Sequence, residues 1–384
     1  MYKKLLLCAS ILIGLLLLYV TPSQAQASFK LKFKRSAVYA GIEVGSKGVK
    51  LSVLEIGKNA QNTGTFNVLK DSSVNTDFIT FSASTFSATL KALTGLYQVA
   101  SLQYKILPEN IYTVVSSGVK VQAEKENKMS WVKNLSDSFR KNINELQRTV
   151  DVIDVIDEAR LSHLGIVPEA KRYSTFLIDI GSGNTKGGYF PNGNTRDIKL
   201  FQLTWGTKSI ANGTEKRMEE DKTLANYQKQ LFRVLEGSAN QEITYAVNVS
   251  GAYNMSDNIA FSGGIAWAVS TLLFPELHEN AVVPVTYDEV LKFSQLIFSN
   301  YKTFTPAALV AKITDKAIDK TPIAEEIKTV QKVFDQRALM AGTGLLLKIM
   351  RQFEGVYERK QFFLVKSGQV GWISAYVDQH SAKP

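Results

Sequence analysis

A chain of 384 residues, 45% hydrophobic and 21% charged with only 9 prolines, has room for two ordinary domains and is neither low in complexity nor disordered. Its one cysteine, Cys8, excludes a disulfide framework. The net charge of +10 suits a polyanionic partner, although spread over a surface the same charge serves solubility.

Lys3 and Lys4 precede an apolar run from Leu5 to Val20. Ala25 and Ala27 then give the small-x-small pattern of a signal peptidase site. Residues 1–27 read as a signal peptide cleaved after Ala27, which implies a periplasmic or secreted protein. The alternative is an uncleaved membrane anchor over residues 5–20, and contact with a membrane is expected only in that case. Cys8 lies inside the leader, so the mature chain would carry no thiol.

The first half reads β-β-β-α-β-α-β-α. Strands fall near 38–45, 48–57 and 63–70. Phe86, Leu90, Leu93, Leu96 and Tyr97 stand at helical spacing in a helix over 84–102. A strand over 110–117, a charged helix over 119–143, a short strand over 149–153 and a helix from Asp154 follow. A break near Pro168–Ser174 separates the halves. The second half restarts the pattern with strands at 174–181, 184–192 and 197–205. Helices over 208–236, strands at 242–249 and 258–262, a helix over 265–273, helices from 286 to 353 and a last strand at 362–366 complete it. Two similar units point to an internal duplication around a cleft. The domains are expected at 38–170 and 171–384, with the helical segment 286–353 in the second.

Each half opens on an apolar run that ends in an acid and a glycine turn. The first is Glu43-Val44-Gly45-Ser46-Lys47-Gly48 and the second Asp179-Ile180-Gly181-Ser182-Gly183-Asn184-Thr185-Lys186. Such a β-hairpin turn lets backbone N–H groups cradle phosphate oxygens. An acid at the strand end is placed to hold a metal ion beside them, or is a solvated turn residue. Asp157 and Glu158 begin a helix, where acids also stabilise the N-terminus without any chemistry. Lys47, Lys120, Lys186 and Lys208 would each be an ordinary surface lysine or together a cationic cleft. His163, His278 and His380 have no metal-ligand spacing and read as structural, and Phe261 and Trp267 read as core.

Six segments, in this order, resemble the exopolyphosphatase and guanosine pentaphosphate phosphatase family of the actin/sugar kinase/heat-shock ATPase superfamily. They are GIEVGSKG (Gly41–Gly48), SSGVK (Ser116–Lys120), VIDEARLSHLG (Val155–Gly165), LIDIGSGNTKGGYF (Leu177–Phe190), IAFSGGIAW (Ile259–Trp267) and RALMAGTGLLLKIM (Arg337–Met350). The resemblance implies an α/β fold of two duplicated ribonuclease-H-like, actin-like domains around a central cleft. It implies a phosphoanhydride hydrolase acting on polyphosphate, with Glu158 as catalytic base. Phosphate would be held by Gly45, Ser46, Lys47, Lys120, Gly181, Ser182, Gly183, Asn184, Thr185, Lys186, Gly263 and Gly264. Glu43 and Asp179 would hold Mg²⁺ or another divalent cation. A homodimer is allowed and no nucleic acid is expected. Export leaves inorganic polyphosphate a better substrate than a nucleotide.

The departures from the family pattern concentrate at the charged positions. Glu43 stands for Asp, Lys47 for Asn, Lys120 for Arg, Ser182 for Gly and Asn184 for Ser, and Lys186 replaces an acid. They imply the alternative of a degenerate protein that binds polyphosphate or a nucleotide without hydrolysing it.

Overall fold

The computed structural model describes residues 29–251, 256–354, 360–366 and 371–381. The leader expected over 1–27 lies outside them. Among the described residues no helix is long and apolar enough to cross a membrane.

The first sheet contains β1 (Ser36–Val44), β2 (Gly48–Gly57), β3 (Phe66–Asn75), β4 (Ile111–Val115) and β5 (Asp151–Val152), in the order β3-β2-β1-β4-β5. The second contains β6 (Thr175–Ile180), β7 (Thr185–Tyr189), β8 (Lys199–Leu203), β9 (Asn258–Ser262), β10 (Val282–Val285) and β11 (Gln361–Val365), in the order β10-β11-β9-β6-β7-β8. Counted from its first strand, each half runs 3-2-1-4-5, with β10 added at the edge of the second. In both, the first three strands form an antiparallel meander and the fourth joins the first in parallel. This is the expected duplicated α/β architecture. All six residues of β6 are buried, because helices cover both faces of the strand.

The helices are α1 (Ala83–Gln98), α2 (Ser117–Lys125), α3 (Met129–Asn142), α4 (Val155–Ile166), α5 (Thr207–Lys216), α6 (Leu224–Val234), α7 (Asn240–Ser250), α8 (Gly264–Leu273), α9 (Tyr287–Ser299), α10 (Pro306–Lys312), α11 (Lys320–Val333), α12 (Gln336–Phe353) and α13 (Gly371–His380), besides shorter turns. Two differ from the sequence pattern. The helix expected over 119–143 is split into α2 and α3, with Asn127 left-handed at φ 55° between them. The helices expected over 208–236 are α5 and α6. The strand expected at 242–249 is α7. Its buried residues Ile243, Ala246, Val247 and Ser250 fall at helical spacing, and packing overrides the β-branched composition.

α13 was not foreshadowed by any periodic pattern, and it crosses back to the first half. Trp372, Ile373, Ala375, Tyr376 and Val377 share a core with Tyr39, Leu54, Ile56, Ala159, Leu161 and Leu164. The approach is close enough to require glycine. A Cβ on Gly165 would lie 2.0 Å from the Gly371 carbonyl oxygen, and one on Gly371 would lie 2.2 Å from Ile166 Cγ1. The second half keeps its own core, in which Val290, Phe293, Ile323, Ile327 and Leu345 of the helical segment pack with Phe176, Ile178 and Phe261.

Candidate functional site

Both glycine turns lie at the same end of their sheets and face each other. In the first, the Gly45 N–H donates to the Gly48 carbonyl at 2.9 Å, closing the β1–β2 hairpin. In the second, the Gly181 N–H donates to the Asn184 carbonyl at 3.0 Å. The tips nearly touch, since a Cβ on Gly183 would fall 2.4 Å from Ser46 Oγ. Asn184 Nδ2 donates to Ser117 Oγ at 3.4 Å, and Gln122 Nε2 donates to the Gly183 carbonyl at 3.4 Å. The second loop is also tied to the start of α5, where the Lys208 N–H donates to the Ser182 carbonyl at 2.9 Å. The third glycine motif ends β9 beneath them. Gly263 has φ 91°, and a Cβ there would lie 2.3 Å from the Ile180 carbonyl oxygen and 2.9 Å from Asp179 Oδ1. Only glycine allows that approach.

Between the sheets lies a cleft of about 620 Å³. Glu43, Gly45, Ser46, Lys47, Glu158, Gly181, Ser182, Gly183, Asn184, Lys186 and Gly264 line it, as the sequence leads one to expect. Lys120, Asp179, Thr185 and Gly263 are not among the lining residues. Thr185 is buried and its hydroxyl donates to the Trp205 carbonyl at 2.8 Å. Lys120 is ion-paired with Asp154 and lies 3.8 Å from Glu124.

The centre of the site is an ion cluster. The Lys186 ammonium lies 2.8 Å from Glu158 Oε1 and 3.0 Å from Asp179 Oδ2, with its side chain only 6% exposed. Register explains the second contact, because Lys186 on β7 is the cross-strand partner of Asp179 on β6. The other Asp179 oxygen accepts from the Ser262 hydroxyl at 3.1 Å. The other Glu158 oxygen accepts the Ser117 N–H at 2.6 Å, at the start of α2. Burial alone would drive the proton off Lys186, but Asp179 and Glu158 more than offset it and hold the amine above the ordinary lysine range. A protonated lysine between two carboxylates stands where a cation would and offsets one of their two charges, yet cannot itself be a metal ligand.

Glu43 sits on the cleft wall near this cluster. Burial, and then the charge of Glu158, push its carboxyl up to about 7. Its cross-strand partner is Lys50, which lies 3.5 Å from Asp71. Lys50 lines the cleft but carries no motif signal of its own. Two further cleft lysines reach across it. Lys47 Nζ donates to the Val333 carbonyl at 2.6 Å and lies 5.3 Å from the centre of the Phe334 ring. Burial, then Lys208, lower its pKa. Lys208 pairs with Asp77 of the first half. Phe334, at the α11–α12 junction, closes one end of the cleft against Gly264, where a Cβ would meet its ring at 3.2 Å.

The three carboxylates expected to serve metal and base, Glu43, Asp179 and Glu158, are therefore brought together, but Lys186 fills the space between two of them. Among the described residues no group of three or more His, Cys, Asp or Glu could hold a metal ion. The residues do not fit a divalent cation. His163 is structural, as expected: its Nε2 donates to the Thr175 carbonyl at 3.0 Å, and burial holds its pKa down to about 4.

No family model matches this sequence, and no curated protein matches it significantly. Solved structures do. The Ppx/GppA family member of Aquifex aeolicus superposes with a TM-score of 0.56 at 17% identity, over 90% of this chain and 99% of that one. An exopolyphosphatase-like protein gives a TM-score of 0.58 at 14% identity, over 88% of this chain and 98% of that one. An exopolyphosphatase from Cytophaga hutchinsonii gives 0.54 at 13% identity, over 89% and 98%. This chain has the fold of those proteins over 88–90% of its length.

Proposed function

We propose that this chain is a diverged member of the exopolyphosphatase family that binds polyphosphate, or another phosphoanhydride, in the cleft without metal-dependent hydrolysis. One observation carries this reading. Lys186 occupies the space between Glu158 and Asp179 and engages both carboxylates. The residue expected to take a proton from water and the residue expected to hold a cation are each paired to the same ammonium. What remains is a phosphate-cradling frame: two glycine turns and, at the cleft wall, Lys47, Lys50 and Lys208. Their partners include the Val333 carbonyl and the carboxylates of Asp71 and Asp77, which a polyanion can replace. Phe334 fills the end of the cleft beside the third glycine motif, which favours a bare phosphate chain over a nucleotide. Export with cleavage near Ser28 belongs to the same reading, and N-terminal sequencing of the mature chain tests it.

The test is long-chain polyphosphate offered to the purified chain in EDTA and in Mg²⁺. Binding in EDTA with phosphate release at background is expected. Mg²⁺-dependent phosphate release would overturn the reading in favour of hydrolysis. One observation favours that second reading: Glu43, with its pKa near 7, can exchange a proton at neutral pH beside Glu158. Lys186→Glu separates the two. In a binder it raises phosphate release from background and weakens affinity, whereas in an enzyme adapted to lysine it lowers turnover.

A further inference from the structure

The chain enters the first domain through an irregular strap, Phe29–Arg35, whose backbone is held by a buried carboxylate. Glu55 on β2 is 0% exposed. It accepts the Lys32 N–H at 3.0 and 2.9 Å, the Phe33 N–H at 2.7 Å, the Ser36 hydroxyl at 2.7 Å and the Asn67 amide at 2.9 Å. Every one of these donors is uncharged. Glu55 thus fixes the strap without drawing in a single ammonium group. At the outer end, the Phe29 ring packs 5.7 Å from Tyr104.

The cations of the strap are left to solvent. Lys30, Lys32, Lys34 and Arg35 are exposed, as is Lys58, whose N–H donates to the Arg35 carbonyl at 3.2 Å. None of the five is in an ion pair among the described residues, in contrast to Lys120, Lys186 and Lys208. Apolar side chains stand among them. Leu31 is 45% exposed, and Leu102, two residues from Tyr104, is 73% exposed. Cations with interspersed exposed leucines are the composition of a segment that lies on an anionic bilayer.

Position supports the same occupant. The strap begins nine residues after Val20, the end of the apolar run. Where the run is retained, nine extended residues, at most about 32 Å, hold the strap at the bilayer surface; where it is cleaved after Ala27, the strap is the first segment of the mature chain. The strap feeds the start of β1, whereas Glu43 and the cleft are at its other end, roughly 23 Å away at the rise of a strand. Docking there leaves the cleft open.

We propose that Phe29–Arg35 and Lys58 form a docking face for an anionic phospholipid surface. The proposal is independent of whether the cleft binds or hydrolyses polyphosphate. Every described element lies after residue 28, so the chain starting at Ser28 carries the whole fold and isolates the strap from the apolar run. That chain is sedimented with vesicles of phosphatidylglycerol and phosphatidylcholine, and with vesicles of phosphatidylcholine alone. Binding to the anionic vesicles only, weakening as salt is raised, is expected. Each basic residue near such a surface contributes about a five-fold factor, so the exposed-site variant K30Q/K32Q/K34Q should bind about 100-fold more weakly. Equal binding to both vesicles, no binding to either, or unchanged binding by the variant overturns the proposal. Tighter binding to duplex DNA than to anionic vesicles also overturns it and makes the strap a nucleic-acid face.

Discussion

Replacing Lys186 by methionine tests the central claim about the cleft, because methionine keeps an unbranched side chain of similar length and removes only the charge. Glu158 and Asp179 would then face each other without a counter-ion in a site where both are nearly inaccessible. Removing one member of a buried ion cluster costs about 3–5 kcal/mol, most of it the penalty of leaving charge unpaired. Two further effects follow from the geometry. The loss should shrink as pH falls into the carboxylate range, since a proton then does what the ammonium did. Mg²⁺ should stabilise the variant and not the parent, because the vacated space is bounded by Glu158, Asp179 and Glu43. Metal at a hundred times its dissociation constant would restore about 2.7 kcal/mol. Urea unfolding with and without Mg²⁺, at several pH values, reads all three. A variant as stable as the parent at neutral pH, or a parent that gains as much from Mg²⁺ as the variant, would refute the view that Lys186 serves in place of a metal.

Glu43 gives a pH dependence of opposite sign to that of an ordinary ion-paired acid. Its folded pKa is raised from 4.5 to about 7, so between those values the folded state holds a proton that the unfolded state has released. Stability is fully present below 4.5 and declines as pH rises through 7, by up to about 3 kcal/mol, less for the water that reaches the cleft wall. Glu43→Gln should flatten that slope in denaturant titrations from pH 5 to 8, and an unchanged slope would move its source elsewhere. Gly165→Ala should push α13 away from α4, because the new Cβ would meet the Gly371 carbonyl oxygen at 2.0 Å. A cost of about 1–3 kcal/mol is expected, with faster proteolysis near the C-terminus, and wild-type protection would show that the helices can part freely.

The sheet meanders were legible because each hairpin is an apolar run with a glycine turn, a local signal that packing does not override. Glu158 was legible through its neighbours, Ala159, Arg160 and Leu161. α7 was not, because Ile243, Thr244, Val247 and Val249 favour a strand locally and only the buried set Ile243, Ala246, Val247 and Ser250 reveals a helix. α13 was hidden for a different reason. It is buried nearly all round, from Gly371 to Val377, so it has no polar face to give it a period. The roles of Lys120 and Thr185 could not be read from spacing, since both side chains have the reach for a phosphate and are taken by Asp154 and the Trp205 carbonyl instead.

Lys186 had a signal in the sequence that motif comparison does not use. Lys50 follows Glu43 by seven positions, and Lys186 follows Asp179 by seven. In a hairpin of this register that spacing makes acid and lysine cross-strand partners, as both pairs are. The duplicated halves therefore carry the same charge pair at the same place, and their outcomes differ through the third strand and the third acid. In the first half Asp71 on β3 lies near Lys50, while burial and then Glu158 raise the Glu43 carboxyl to about 7. In the second, Glu158 arrives from α4 and completes a lysine flanked by two carboxylates. A lysine at a position where the resembled family pattern has an acid would by itself read as loss of function. Two lysines at equivalent positions read instead as a consistent way of balancing buried acids with the chain's own charge. On that account the phosphate release gained by Lys186→Glu should rise further when Lys50 is changed as well, because in the single variant Lys50 still faces Glu43 across the hairpin; a double variant no more active than the single one would refute the account.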